Sequence, residues 1–239
     1  MKTILVTGAT SGIGKAFTLH AAEQGYNIIA CGRNEEVLNA LSASARITTK
    51  KFDLTSLDDT KAALASVQFD IAVLNAGNCE YVDVENFDTA MFRRVFEINF
   101  FGMIHSVEAL LPHLRPHSQL VIVDSMARLF PFTRSQAYGA SKAAVHYFTQ
   151  SLNVDLAAKQ VLVQHVSPGF IDTPLTEKND FDMPMKISAE QAAKAMLKGI
   201  EKKKQNLYFP SGFGWIMRFL HVLPTGIQQW LSKKMRQQQ

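Results

Sequence analysis

The sequence predicts a doubly wound α/β fold, with one parallel sheet covered by helices on both faces in three layers and a single domain. Three observations carry this. Apolar, β-branched runs alternate with helical patterns through the first two-thirds of the chain. The runs are almost continuously apolar, as strands covered on both faces must be. The chain has 239 residues, 47% hydrophobic and 19% charged, which suits one sizeable core.

Taken in order, strands are expected at Thr3–Thr7, Asn27–Cys31, Ile47–Phe52, Asp70–Leu74, Gln119–Asp124 and Val161–Val166, with a last one at Asn206–Phe209. Amphipathic segments at Gly12–Gln24, Glu35–Ala43, Leu57–Ser66, Asp88–Leu114 and Ser135–Lys159 supply the helices. Ligands in such folds bind at the carboxyl ends of the strands, so the residues there are the candidates for chemistry.

The first strand runs into Gly8-Ala9-Thr10-Ser11-Gly12-Ile13-Gly14. Glycines permit a tight turn and let backbone amides approach a pyrophosphate at the positive end of the following helix. Three residues separate the first two glycines, which departs from the G-x-G-x-x-G fingerprint. The second strand ends at Arg33-Asn34, where an acidic residue would suit NAD; an arginine there suits a 2′-phosphate, and its plainer reading is a solvated loop side chain. Asp53-Leu54 follows the third strand, where a carboxylate or neighbouring amide meets an adenine or, equally, caps the next helix. Asn75-Ala76-Gly77 ends the fourth strand with small residues suited to close passage of a ribose. Asn99 interrupts a helical pattern and disfavours a smooth helix there, or is a satisfied core amide.

Ser125 ends the fifth strand, and Tyr138 and Lys142 follow on one face of the next helix, one turn apart. An ammonium beside a phenol stabilises the phenolate, so the Tyr138 pKa is expected below its reference of about 10. Such a phenol exchanges protons with a carbonyl or alcohol oxygen. Pro168, Gly169, Ile171 and Thr173 form a turn after the sixth strand that would fold over a cofactor.

Together these ordered motifs resemble the short-chain dehydrogenase/reductase family, in its single-domain branch with a Tyr-x-x-x-Lys motif, over roughly Lys2 to Thr173. The resemblance implies a Rossmann fold and oxidoreductase activity. By position, Tyr138 would be the general acid or base, Lys142 would hold the nicotinamide ribose and depress the tyrosine pKa, and Ser125 would bind the substrate oxygen. Asn99 would anchor a water leading from Lys142 to solvent, and Thr173 would meet the nicotinamide carboxamide. The resemblance also implies a homodimer or homotetramer joined through the helices around 102–114 and 135–159. The reading is NADPH-dependent reduction of a ketone or aldehyde, or the reverse, on a partly apolar substrate, with NADP(H) preferred over NAD(H). The alternatives are a non-catalytic NADP-sensing protein and a peripheral membrane protein docked through its tail. Asp124, where the family more often has a small or hydroxyl residue, reads as a loop cap or a contact for a polar substrate.

Residues 1–210 are expected to form the catalytic domain and 211–239 an apolar and basic extension. Pro174–Ile187 would be a lid whose Leu175, Phe181, Met183 and Met185 suggest an apolar substrate wall. Within 213–236, Trp215, Phe219 and Trp230 followed by Lys233, Lys234 and Arg236 fit either a helix packed over the pocket or one lying in a membrane interface. The basic residues form no stripe interleaved with aromatics, which argues against nucleic acid. Cys31 and Cys79 lack metal or disulfide spacing, so no metal is expected. A strand beginning at Thr3 leaves no room for a signal peptide, and a cytoplasmic location is the expectation.

Overall fold

The computed structural model describes residues 1–177, 179 and 181–236. Its centre is a seven-stranded sheet of β1 (Thr3–Thr7), β2 (Asn27–Gly32), β3 (Ile47–Lys51), β4 (Ile71–Leu74), β5 (Gln119–Val123), β6 (Leu162–Pro168) and β9 (Asn206–Phe209). The order is β3-β2-β1-β4-β5-β6-β9, and every pairing is parallel. The order reverses between β1 and β4, which opens a crevice at their carboxyl ends.

Alternation along β1 shows why both faces are dry. Ile4 and Val6 point to one face, into a core shared with α1 (Gly12–Glu23) and α7 (Ala189–Glu201). Leu5, between them, points to the other, where Leu110 of α5 (Gly102–Leu110) and Val145 of α6 (Gln136–Ala157) cover it. All three strand residues are fully buried. The shorter helices α2 (Glu35–Leu41) and α3 (Leu57–Leu64) join β2 to β3 and β3 to β4. Their caps are Asn34 and Ser56, whose side chains accept from Val37 N and Asp59 N.

Three features depart from expectation. The pattern read as one helix over Asp88–Leu114 is α4 (Thr89–Phe96), a π-helical turn over Glu97–Phe101, and then α5, followed by a 3₁₀ turn. The break falls at Asn99, whose side chain bonds away from its own helix. A small parallel pair, β7 (Ile171–Asp172) with β8 (Ile187–Ser188), closes the two ends of the expected lid. Helix α7 was not foreseen, although Ser188 and Gln191 form a capping box and Ala192, Ala193, Met196 and Ile200 give it an apolar face.

The extension folds into two helices, α8 (Ser211–His221) and α9 (Thr225–Arg236). The inner face of α8 buries Phe213 and Met217 against Met126, Leu129 and Phe130. His221 Nδ1 lies 3.0 Å from the Leu129 carbonyl oxygen, and Ser232 donates to the Pro131 carbonyl. No helix among the described residues is long and apolar enough to cross a membrane.

Candidate active site

Two cavities meet at the carboxyl ends of the strands. The first, of about 340 Å³, lies over the turn between β1 and α1 and reaches Asn75, Lys142 and Thr173. Its floor requires glycine: a Cβ on Gly14 would stand 2.2 Å from the Gly8 carbonyl oxygen, and one on Gly8, at φ +67, 2.8 Å from Ala76 Cα. Thr7 ties the strands together beneath it, its hydroxyl accepting from the amides of Asn75 (3.1 Å) and Ala76 (3.3 Å). Ser11 occupies the N-cap of α1 without a side-chain cap bond, and no acidic residue sits in that first turn. Unspent amide donors at a positive helix end, over a floor that admits no side chain, fit a dinucleotide pyrophosphate.

Gly8, Ser11, Gly12, Ile13, Asn75, Ala76, Gly77, Ser125, Tyr138, Lys142, Pro168, Gly169, Ile171 and Thr173 all line this crevice. Thr173 arches over the turn, so that a Cβ on Gly12 would lie 3.3 Å from its methyl group. Other expected residues stand behind the wall or at the rim. Thr10 packs against Gly32. At the ends of β2 and β3, Arg33 and Asp53 form an exposed pair 3.4 Å apart. Asp53 also accepts from the amide and hydroxyl of Thr55 (3.0 and 2.9 Å), so it closes its own turn while Ser56 caps the helix. The Leu54 side chain lies against Gly102, and its carbonyl oxygen is 2.9 Å from His105 Nδ1.

Asn99 is buried, and both N–H donors of its side-chain amide are spent. It accepts from Asn78 N (2.8 Å) and donates to Asn78 O (2.9 Å) and Ser141 Oγ (3.0 Å). Both Asn99 Oδ1 and Lys142 Nζ crowd the α-carbon of Gly77, where a Cβ would lie 3.0 and 3.3 Å from them. Lys142 Nζ donates to the Val123 carbonyl at 3.0 Å. Ser125 caps a 3₁₀ turn over Met126–Leu129, its hydroxyl accepting from Ala127 N at 3.1 Å, and it shares the cavity wall with Tyr138.

The electrostatics correct one expectation. Burial pushes the Tyr138 phenol above its ordinary value, reinforced by Cys79 and Asp124 and opposed by the nearby Ser125 hydroxyl. Burial likewise pulls Lys142 down to about 8, against the opposing pull of Asp124 and Cys79. Helical spacing brings the ammonium within 6.0 Å of the Tyr138 ring centroid, but its bond runs to Val123. Desolvation outweighs the pairing that the spacing alone suggests.

Asp124 is corrected too. It does not cap the loop; it lines the crevice from a buried position, where a polar substrate contact stays open to it. Its Oδ2 accepts from Arg128 Nε at 2.7 Å and lies 2.9 Å from His146 Nδ1, with all but a few per cent of the acid and arginine side chains buried. The His146 and His165 rings lie 4.7 Å apart, and burial followed by His146 pulls His165 down to about 4, leaving it neutral at pH 7. Asp124, His146 and His165 gather ligand atoms within 4.8 Å, but the guanidinium already neutralises the carboxylate. The cluster is an ion-pair network beneath the site.

The second cavity, of about 380 Å³, is apolar and shares Cys79, Ser125, Tyr138, Pro168 and Gly169 with the first. Its walls include Phe130, Phe170 and Phe213 together with Leu175, Phe181 and Met185 of the expected lid. Met183 is not among the lining residues; its sulfur faces Asn179 Nδ2 at 3.1 Å. Residues 178 and 180 of that lid lie outside the described residues. Sequence reading missed Cys79 and Tyr81, which line the cavity beside Tyr138. Burial pushes the Cys79 thiol up to about 11, so it is a neutral wall. Their position directly after Asn75-Ala76-Gly77 was the available signal.

Comparison with known proteins agrees with this geometry. The short chain dehydrogenase family model matches residues 2–184. An uncharacterized oxidoreductase of Staphylococcus epidermidis is 34% identical over 82% of this chain and 89% of its own length. A 3β-hydroxysteroid dehydrogenase of Mediterraneibacter gnavus is 34% identical over 80% of this chain and 74% of its own length. A short chain dehydrogenase of Burkholderia cenocepacia, solved in complex with NADP, superimposes with a TM-score of 0.85 at 24% identity, covering 98% of this chain and 97% of that one. The chain belongs to the short-chain dehydrogenase family, whose members are oxidoreductases acting on CH–OH groups.

Proposed function

We propose that this short-chain dehydrogenase uses NADPH to reduce the carbonyl of a partly apolar substrate, with Asn99, Ser125, Tyr138 and Lys142 as its catalytic set. The observation that carries this is the position of Ser125 and Tyr138 together on the wall shared by a polar crevice and an apolar cavity. When bound, the nicotinamide supplies a hydride to the carbonyl carbon. Tyr138, held in its protonated form by burial, donates the phenol proton to the carbonyl oxygen. Ser125 holds that oxygen as charge develops. Lys142 binds the ribose hydroxyls, and Asn99 holds the 78 backbone so that the path beside Gly77 keeps its shape.

The crevice residues from Gly8 to Gly14 and at Asn75, Ala76, Gly77, Pro168, Gly169, Ile171 and Thr173 would hold the dinucleotide, with Asn34, Asp53 and Leu54 at its adenine end. Arg33 would exchange its exposed, screened partner Asp53 for a 2′-phosphate, an exchange favoured because the existing pair is weak. The apolar cavity supports an apolar substrate, as does the relative named a 3β-hydroxysteroid dehydrogenase. We assign residues 1–210 to catalysis and 211–239 to an extension with a packing, oligomer or membrane-surface role. A homo-oligomer through α5 and α6 is supported by the exposed Phe101, Tyr147 and Val154.

Titration of NADPH and NADH against intrinsic fluorescence, with wild type and Arg33→Ala, tests the cofactor. Tighter NADPH binding that disappears in the variant supports the reading; no binding of either nucleotide overturns it. A carbonyl screen that follows NADPH consumption then tests the reaction.

A further inference from the structure

We propose that the outer face of α8 and α9 docks on an anionic lipid surface, and that the substrate is a carbonyl-bearing lipid drawn from that surface into the apolar cavity. The substrate half rests on the reductase reading above; the docking half does not.

The outer face of α8 is apolar where a helix on a water-facing surface would be polar. Trp215, Phe219 and Val222, at 70%, 65% and 75% exposure, recur at helical spacing, opposite the buried Phe213 and Met217. Ile227 and Trp230 extend the apolar surface along α9. Scattered exposed apolar residues are ordinary, but a cluster confined to two adjoining helices is a contact surface.

Charge identifies the occupant. Residues 211–239 contain Arg218, Lys233, Lys234 and Arg236 and no acidic residue. The whole chain carries 25 basic and 21 acidic residues, so its formal net charge of +4 resides there and the preceding 210 residues are balanced. The cations sit beside aromatic rings: Arg218 Cζ lies 5.0 Å from the Trp215 centroid, and Lys234 Nζ 4.2 Å from that of Trp230. Rings that enter the headgroup layer with cations beside them match an anionic leaflet. A second copy related by a twofold axis would bring like charges together on both sides of the contact.

The surface is continuous with the site. Ile216 and Met235 are both exposed and both line the apolar cavity, so they form its rim on the docking side. Phe213, Met217 and Leu220 carry the apolar path inward toward Tyr138 and Ser125. A lipid tail can therefore pass from a leaflet to the catalytic pair along apolar side chains.

The test is co-sedimentation of the full chain with vesicles of phosphatidylcholine alone and of phosphatidylcholine mixed with phosphatidylglycerol. Binding is expected to the anionic vesicles, weakening with salt. Each basic residue near such a surface strengthens binding about fivefold, so Lys233→Glu/Lys234→Glu is expected to weaken it by about 30-fold or more. Trp215→Ser/Phe219→Ser is expected to abolish it with an unchanged Tm. Recovery in the supernatant with both vesicle types overturns the proposal. So does a dimer in size-exclusion chromatography that dissociates in Trp215→Ser/Phe219→Ser, because a second copy would then cover the face. For the substrate, NADPH consumption is followed with a long-chain ketone held in anionic vesicles and with a short soluble ketone. The charge-reversed variant is expected to lose about tenfold in kcat/KM on the first only. Equal loss on both overturns lipid delivery. No consumption with either ketone removes the reductase reading and the substrate half, and the sedimentation result then stands for docking alone.

Discussion

The crevice over the β1–α1 turn has a floor of backbone, from Gly8, Gly12 and Gly77 with the small side chains of Ser11 and Ala76. The cavity beside it is walled by large apolar side chains from chain segments near 80, 130, 170, 181 and 213–220. The two share Tyr138 and Ser125, yet opposite means build them. A backbone floor presents amides whose direction is set by one local turn. A side-chain wall exists only after distant segments have packed, and it discriminates by shape and apolarity.

The largest effect that separates them is at the shared wall. Tyr138→Phe is expected to lower turnover by about 10²- to 10⁴-fold, while NADPH affinity by fluorescence titration and uptake of an apolar dye into the cavity stay at wild-type levels. Loss of either binding event would show that the phenol shapes the site as well as reacting. Next, Phe213→Ala acts on the side-chain wall. It opens a void in the cluster with Met126 and Met217 and is expected to cost about 3 kcal/mol by denaturant unfolding, with nucleotide affinity unchanged.

Lys142→Met should separate stability from activity. The lysine has a folded pKa near 8 against its ordinary 10.5. Its depressed value means that the associated stability is present above pH 10.5 and is lost as pH falls through 8. Removing the ammonium is therefore expected to stabilise the fold by about 2 kcal/mol at pH 7 and by little at pH 10.5, while turnover collapses. A variant destabilised equally at both pH values would show that the bond to Val123 outweighs desolvation. The same titration predicts that the reductive kcat/KM falls above pH about 8, as the ammonium that holds the ribose is lost. The smallest effect is at the rim: Arg33→Ala is expected to reduce preference for NADPH over NADH about tenfold, as loss of one charge-assisted contact does, and to leave the apolar cavity untouched.

Legibility in the sequence followed the same division. The glycine turn, Asn75-Ala76-Gly77 and the Tyr138/Lys142 spacing are short-range patterns, and each stands on the element expected for it. The interruption at Asn99 was also local, and a π-helical turn lies there. Cys79 and Tyr81 escaped because their one local mark is a position just after Asn75-Ala76-Gly77; they matter through Tyr138, about 60 positions later. Helix α7 escaped although its capping box is local, since the apolar residues just before it resemble a lid over a pocket.

The sequence by itself determined the parallel sheet, the strand-end placement of the crevice residues and the presence of an apolar, basic extension, because strand period, glycine geometry and composition act within a few residues. Only the tertiary structure decided that Asp124 is locked between Arg128 and His146, that burial raises Tyr138 and lowers Lys142, and which face of α8 turns outward. Those outcomes depend on distance through space and on exclusion of water, and neither is set by position along the chain.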